Sequence, residues 1–354
     1  MKRASISRHR APGLLGAFFL CVTLCTCGKR EQTGDWSGHK KEAPAAVEEV
    51  AVAPAPAPVV VAKAPEPPAT GPATEAVDGT AVRFVTYNVE NWLTMERYAN
   101  GKRVATPKPE KERHAVVQAL LTAKPDILGI SEIGNEQDVK DLQKHLADAG
   151  MPLPHAHLNR GADDTRSLVI LSKYPIAKTV ARDNLAYRMQ GEEFKMQRGI
   201  LDATINTPAG AFRFLGVHLK SKREVDEGDQ EEMRRNEAHL LRREVDSILN
   251  QDPGARLVVY GDFNDTRNSS SIRTAQGPGR SPTALTTVPL MDSRGHYWTH
   301  HWDFQDVYSR IDYVMVSPAL KDLVDRDHSK ILDGEETAGA SDHRPLLVIL
   351  KSPT

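Results

Sequence analysis

The stretch Leu257-Val258-Val259-Tyr260-Gly261-Asp262-Phe263-Asn264-Asp265 runs from apolar residues straight into two carboxylates and an amide. A short apolar run of this kind reads as a buried strand, and its polar tail marks the strand end as a place for chemistry. The same grammar recurs along the chain. Val82–Val89 carries Asn88 and runs into Glu90, and Ile127–Ile133 contains Glu132 after Ile130. Phe212–Leu219 carries His218, Asp312 stands at the start of Ile311–Val316, and Ser341-Asp342-His343-Arg344-Pro345 opens Leu346–Leu350. Leu168–Ser172 and Gly199–Ile205 read as further strands, and Thr207-Pro208-Ala209-Gly210 reads as a hairpin turn. Glu110–Ala123, Gln137–Ala149 and Asp229–Leu249 read as helices. The last has acids early (Asp229, Glu231, Glu232) and Arg242 and Arg243 late, as the helix dipole prefers. Hairpins mixed with helical crossovers predict an α/β domain with mixed sheets. Because antiparallel neighbours bring the end of one strand beside the start of the next, one sheet edge can gather these polar residues. Each alone is an ordinary turn or structural residue. Together they make a centre for a hard cation and proton transfer.

Composition narrows the chemistry. The chain has 354 residues, with 46 Lys and Arg against 47 Asp and Glu, so no globally basic coat exists. Cys21, Cys25 and Cys27 are the only cysteines. Everything after Gly28 therefore lacks disulfides, thiolate metal ligands and cysteine nucleophiles. Residues 1–27 have a basic start (Lys2, Arg3, Arg8, Arg10) and then an apolar stretch, the proportions of an export signal. Leu24-Cys25-Thr26-Cys27-Gly28 resembles a bacterial lipobox with Cys27 as lipid acceptor; the alternative is a plain cleaved signal. The expectation is export to the periplasm or cell envelope, with a membrane contact through that anchor. Residues 28–79 read as a linker: Ala43–Asp78 contains 12 Ala and 8 Pro and no aromatic residue. Residues 80–354 are expected to fold as one monomeric catalytic domain, with 37 basic and 39 acidic residues.

Thr86-Tyr87-Asn88-Val89-Glu90, Ile130-Ser131-Glu132, Gly216-Val217-His218-Leu219, Gly261-Asp262-Phe263-Asn264, Arg310-Ile311-Asp312-Tyr313 and Ser341-Asp342-His343-Arg344-Pro345 resemble, in order, the motifs of the endonuclease/exonuclease/phosphatase superfamily. The resemblance implies a four-layer α/β sandwich, two mixed β-sheets face to face with helices outside, and Mg²⁺- or Mn²⁺-dependent phosphoester hydrolysis. It implies Glu132 as principal metal ligand, with Asn88, Glu90 and Asp342 steering or supporting the metal. It further implies Asp262 orienting and deprotonating the attacking water, Asn264 holding that geometry, and Asp312 fixing His343. His343 and His218 would serve the phosphoryl group. Whether one or two metals act stays open.

Arg198 and Lys220 are candidate substrate contacts, with Arg166, Lys222 and Arg223 behind them. The Trp298-Thr299-His300-His301-Trp302 run could stack a base or pack a loop; adjacent rings in a strand point apart, so the His pair is not read as a metal site, and packing is preferred. The His218-Leu219-Lys220-Ser221-Lys222 form is similar to that of secreted bacterial nucleases. No long aromatic hairpin of the kind with which sphingomyelinases touch membranes is evident. The leading expectation is an exported nuclease acting on DNA or RNA. The alternatives are a phospholipid or inositol-phosphate phosphoesterase, and a non-catalytic tethered module.

Overall fold

The computed structural model describes residues 80–353 apart from residue 100; the leader and linker expected over residues 1–79 lie outside the described residues. Strands are numbered β1 to β18 in chain order. One sheet holds, side by side, β17 (Val324–Ile331), β18 (Leu346–Leu350), β1 (Val82–Trp92), β4 (Ile127–Ile133), β6 (Ser167–Ser172) and β5 (His155–Asn159). The other holds β13 (Thr286–Thr287), β16 (Asp312–Val316), β12 (Leu257–Asp262), β11 (Gly210–His218), β10 (Leu201–Thr207) and β7 (Ile176–Thr179). Both are mixed: β1 runs parallel to β4 and antiparallel to β18, while β11 runs parallel to β12 and antiparallel to β10.

Side-chain alternation sorts the apolar residues into three cores. On β1, Phe84 faces the second sheet, whereas Val85, Tyr87 and Val89 face the helices α1 (Glu110–Ala123) and α2 (Glu136–Asp148). On β12, Val258 and Tyr260 face the first sheet, whereas Leu257 and Val259 face α3 (Gln230–Gln251) and α4 (Ser270–Gln276). Helices, sheet, sheet and helices make the expected four-layer sandwich. Phe84 meets Phe214 at 5.0 Å and Tyr260 at 4.9 Å between the sheets. Tyr260 fits there because Gly129 of β4 and Gly216 of β11 are bare: a Cβ on Gly129 would stand 2.2 Å from its ring.

The Thr207–Gly210 hairpin forms as expected, with Thr207 paired to Gly210. The strand expected to open at Gly199 starts instead at Leu201, because Gly199 has a positive φ of 63°. Helix α3 runs past Leu249 to Gln251, so Arg242 and Arg243 are interior residues. Arg242 is buried and donates to the carbonyls of Ala275, Gln276 and Thr283, a tie to α4 rather than a dipole partner. Three small hairpins escape the sequence pattern: β2 (Met95–Ala99) with β3 (Lys102–Thr106), β8 (Ala186–Met189) with β9 (Glu192–Lys195), and β14 (His300–Trp302) with β15 (Val307–Ser309). The last is short, two strands of three residues each, with Trp302, Phe304 and Tyr308 exposed on it. Among the described residues no helix is long and apolar enough to cross a membrane.

Candidate active site

Strand register builds the centre. His218 pairs with Asp262 across β11 and β12, and Asp262 pairs with Asp312 across β12 and β16, so three ionisable residues share one row. In the other sheet Asn88 on β1 pairs with Ser131 on β4, one residue before Glu132. The 341–343 loop enters β18 beside β1, where Ser341 Oγ donates to the Asn88 carbonyl at 2.8 Å. The row and the two strand ends face each other.

The Asn88 amide is the hub. Its Nδ2 donates to Glu132 Oε1 at 3.3 Å and Asp262 Oδ2 at 3.2 Å, and stands 3.4 Å from His343 Nε2. Asp262 Oδ1 accepts the Asn264 N–H at 2.8 Å, and Asn264 Nδ2 donates to the Leu219 carbonyl, so Asn264 braces the carboxylate. His343 Nδ1 donates to Asp312 Oδ2 at 2.8 Å, leaving Nε2 facing Asp262 at 3.7 Å. Thr299 Oγ1 receives the N–H groups of Ile311 and Asp312, fixing the strand that carries Asp312. Among the described residues, four of the seven non-glycine residues with positive φ cluster here: Glu90, Asn91, Glu132 and Asn264. The first three form a bulge where β1 and β4 lose register. Backbone held in this region costs on the order of 1–3 kcal/mol per residue, and such strain gathers where function over-determines geometry.

Burial and charge split the two imidazoles. Burial opposes a charge on His343, but Asp312 and Asp262 outweigh it and hold its pKa well above the ordinary value. Burial, then the charges of Arg198 and His343, push His218 well below its ordinary value. Both causes favour the neutral imidazole of His218. Its Nδ1 is buried without a partner while Nε2 lies 3.5 Å from Asp262 Oδ2, which places its proton on Nε2. Burial, and then the Asp312 charge, push Asp262 up to about 7.

The remaining expected residues are distributed as follows. Glu90 turns to Lys108 and accepts the Asp342 N–H at 3.3 Å, and its pKa is raised by burial and Asp342. Asp342 lies 3.6 Å from His300 Nε2 and 3.9 Å from His343 Nε2. Arg198 is largely buried and ion-paired to Asp163 at 3.1 Å, close enough to act on His218. The Lys220 N–H donates to Glu237 at 2.6 Å. Sequence reasoning passed over three residues and gave a fourth a different role. Asn91 donates its N–H to Glu132 Oε2 and accepts from Arg166 Nε at 2.8 Å. Lys108, 1 % exposed, ties Glu90 to Glu112. Glu237, fully buried, also receives the Gln197 N–H and so binds the loops of Arg198 and Lys220 to α3. His300, read as packing, faces His343 at 4.7 Å between ring centroids. His301 does pack, stacking on Tyr308 at 4.1 Å.

A divalent cation suits this donor set. Glu132, Asp262, Asp312, Asp342 and Glu90 gather at one edge, where burial first and the Asp312 charge second oppose ionisation of Asp262. The donors are oxygens, the preference of hard cations. The family model described as the Endonuclease/Exonuclease/phosphatase family matches residues 86–343. No curated protein sequence matches the chain. Among solved structures, an endonuclease/exonuclease/phosphatase from Bacteroides vulgatus is 19% identical with a TM-score of 0.52, covering 77% of this chain and 100% of its own. Sphingomyelinase C from Streptomyces griseocarneus is 13% identical with a TM-score of 0.52, covering 77% and 99%. The human Nocturnin catalytic domain with bound sulfate anion is 16% identical with a TM-score of 0.51, covering 76% and 94%. At these identities the likeness is one of fold.

Proposed function

Since this chain belongs to the Endonuclease/Exonuclease/phosphatase family, whose members are phosphoesterases, we propose that it is an exported, Mg²⁺- or Mn²⁺-dependent phosphodiesterase that cleaves nucleic acid. The observation that carries the hydrolytic reading is the row His218, Asp262, Asp312, closed by His343 and bridged to Glu132 through Asn88. Asn88, Glu90, Glu132 and Asp342 would hold the cation, which supplies charge to a phosphoryl oxygen and to the leaving oxygen. Asp262 takes the proton of the attacking water; a carboxylate raised to about 7 is a base matched to neutral pH. Asn264 and the Asn88 amide keep that carboxylate aimed. The His343 cation, oriented by Asp312, donates from Nε2 to a phosphoryl oxygen, and neutral His218 donates from its own Nε2. Arg198 and Lys220 supply cationic charge on the His218 side.

The support for a nucleic-acid substrate is the His218-Leu219-Lys220-Ser221-Lys222 run and its cations. A second reading, phospholipid hydrolysis, is favoured by one observation: Trp302, Phe304 and Tyr308 are exposed on the hairpin that leads away from His300. A tethered non-catalytic module fits poorly, because so many buried carboxylates are costly to retain without a metal or proton-transfer role. Export, a Cys27 lipid anchor and a monomeric state complete the proposal, supported by the leader and the linker composition. The purified protein, offered plasmid DNA, RNA, sphingomyelin vesicles and inositol phosphates with Mg²⁺, should cleave the nucleic acids. Turnover of sphingomyelin without nucleic-acid cleavage would replace this substrate by the second reading.

A further inference from the structure

Two backbone hydrogen bonds, which together make one isolated bridge, lock the 299–301 segment to residues 342–344. His300 pairs with His343 as an isolated antiparallel bridge. The His301 N–H donates to the Asp342 carbonyl at 2.9 Å, and the Arg344 N–H to the Thr299 carbonyl at 2.7 Å. Register therefore sets the His300 ring over His343, with its Nε2 3.6 Å from Asp342 Oδ2. His301 points the other way, with Nε2 bonded to Asp306 at 2.9 Å. One ligand atom from each of His300, Asp342 and His343 lies within 4.8 Å of the other two.

We propose that His300, Asp342 and His343 form a metal position of their own, which takes a borderline d-block divalent cation such as Zn²⁺ or Co²⁺ in preference to Mg²⁺. Two imidazoles and one carboxylate are a donor set that such ions favour and that Mg²⁺, which prefers oxygen, does not. His343 carries the usual mark of a metal-binding imidazole: its far nitrogen donates to a buried carboxylate, Asp312. Tetrahedral ligation at about 2.1 Å needs ligand atoms roughly 3.4 Å apart, so the His300–Asp342 pair is near the required spacing and His343 closes by a small rotation. His300 and Asp342 are 20% and 41% exposed, which leaves both free to adjust and leaves a coordination position open to solvent. Asp342 is the one ligand this position shares with the oxygen set around Glu132. Ligation by His343 Nε2 takes the place of its proton, so a bound ion and the cationic form of His343 exclude one another; the proposal concerns binding and stands whether or not the chain cleaves nucleic acid.

Calorimetric titration of the full chain with Zn²⁺, in saturating Mg²⁺, tests it through His300→Ala and His301→Ala. Other histidines and the leader cysteines contribute equally to every variant, so the difference between variants is the readout. The wild-type chain and His301→Ala should bind one equivalent that His300→Ala loses, or holds at least tenfold more weakly. Co²⁺ should show the same difference in its visible absorption, and Asp342→Asn should match His300→Ala. Equal binding by both histidine variants and the wild type would overturn the proposal. So would equal loss in both, which would trace the effect to the hairpin rather than to the His300 ring.

Discussion

Replacing Asp312 by Asn keeps the shape of the Asp312–His343 contact and removes its charge. The oxygen lies 2.8 Å from His343 Nδ1, with both side chains about 6% exposed. At that distance Coulomb's law with an effective dielectric near 20 gives about 6 kcal/mol. Desolvation of two buried ions takes back much of this; if a third survives, about 2 kcal/mol favours the protonated imidazole, and losing it lowers the His343 pKa. The direction is fixed by the cause: burial alone lowers the His343 pKa, and Asp312 is the largest influence raising it. The protonated form is the proposed phosphate donor. The alkaline limb of the rate profile should therefore move to lower pH in the variant, and kcat should fall by a factor on the order of 10²–10⁴, the usual worth of positioned proton transfer. Stability carries the same sign. A histidine with a raised folded pKa contributes fully below its unfolded value and loses that contribution as pH rises through the folded value, so Asp312→Asn should flatten this decline. Phosphodiester hydrolysis across pH, imidazole titration by NMR and denaturant unfolding at several pH values read the three effects. An alkaline limb and imidazole titration that do not move would refute the argument.

Gly129→Ala should destabilise the fold by about 1–3 kcal/mol or more through overpacking, since the new Cβ would stand 2.2 Å from the buried Tyr260 ring; an unchanged urea midpoint would contradict the inter-sheet wedge. Glu237→Ala leaves the Gln197 and Lys220 N–H groups without their carboxylate, at a cost of about 1–3 kcal/mol for each buried group. It should raise KM more than it lowers kcat, because it loosens the loops of Arg198 and Lys220; an effect on kcat alone would place Glu237 elsewhere in the mechanism. Arg234→Ala should lower the melting temperature, since Arg234 joins Asp265 at 3.1 Å to the Lys220 carbonyl at 3.0 Å, and differential scanning calorimetry reads it.

Much of this architecture is legible in the sequence because buried strands are continuous apolar runs and the chemistry sits at their ends. Leu257–Asp262, Phe212–His218 and Leu346–Leu350 announce themselves by composition, and register makes the polar ends of the first two neighbours, His218 against Asp262. Edge strands do not. Val324–Ile331 is mostly polar and irregularly paired, because its bulge leaves few residues facing a core. His300 illustrates a different gap: alternation separates its ring from that of His301, but only pairing with His343 says which ring meets the site. Glu237 carried a signal that went unread, an acid on the apolar stripe of Met233, Leu240 and Leu241. Lys108 carried none, since its burial depends on the bulge that turns Glu90 toward it.

The central claim is that the joined strand ends hydrolyse phosphodiesters with a divalent cation. Initial rates on a chromogenic phosphodiester, with Mg²⁺ or chelator, test it for the wild-type chain, Glu132→Ala and His343→Ala. Chelation should abolish turnover, and each substitution should lower it by on the order of 10² or more. Turnover that survives both substitutions and the chelator would contradict the claim.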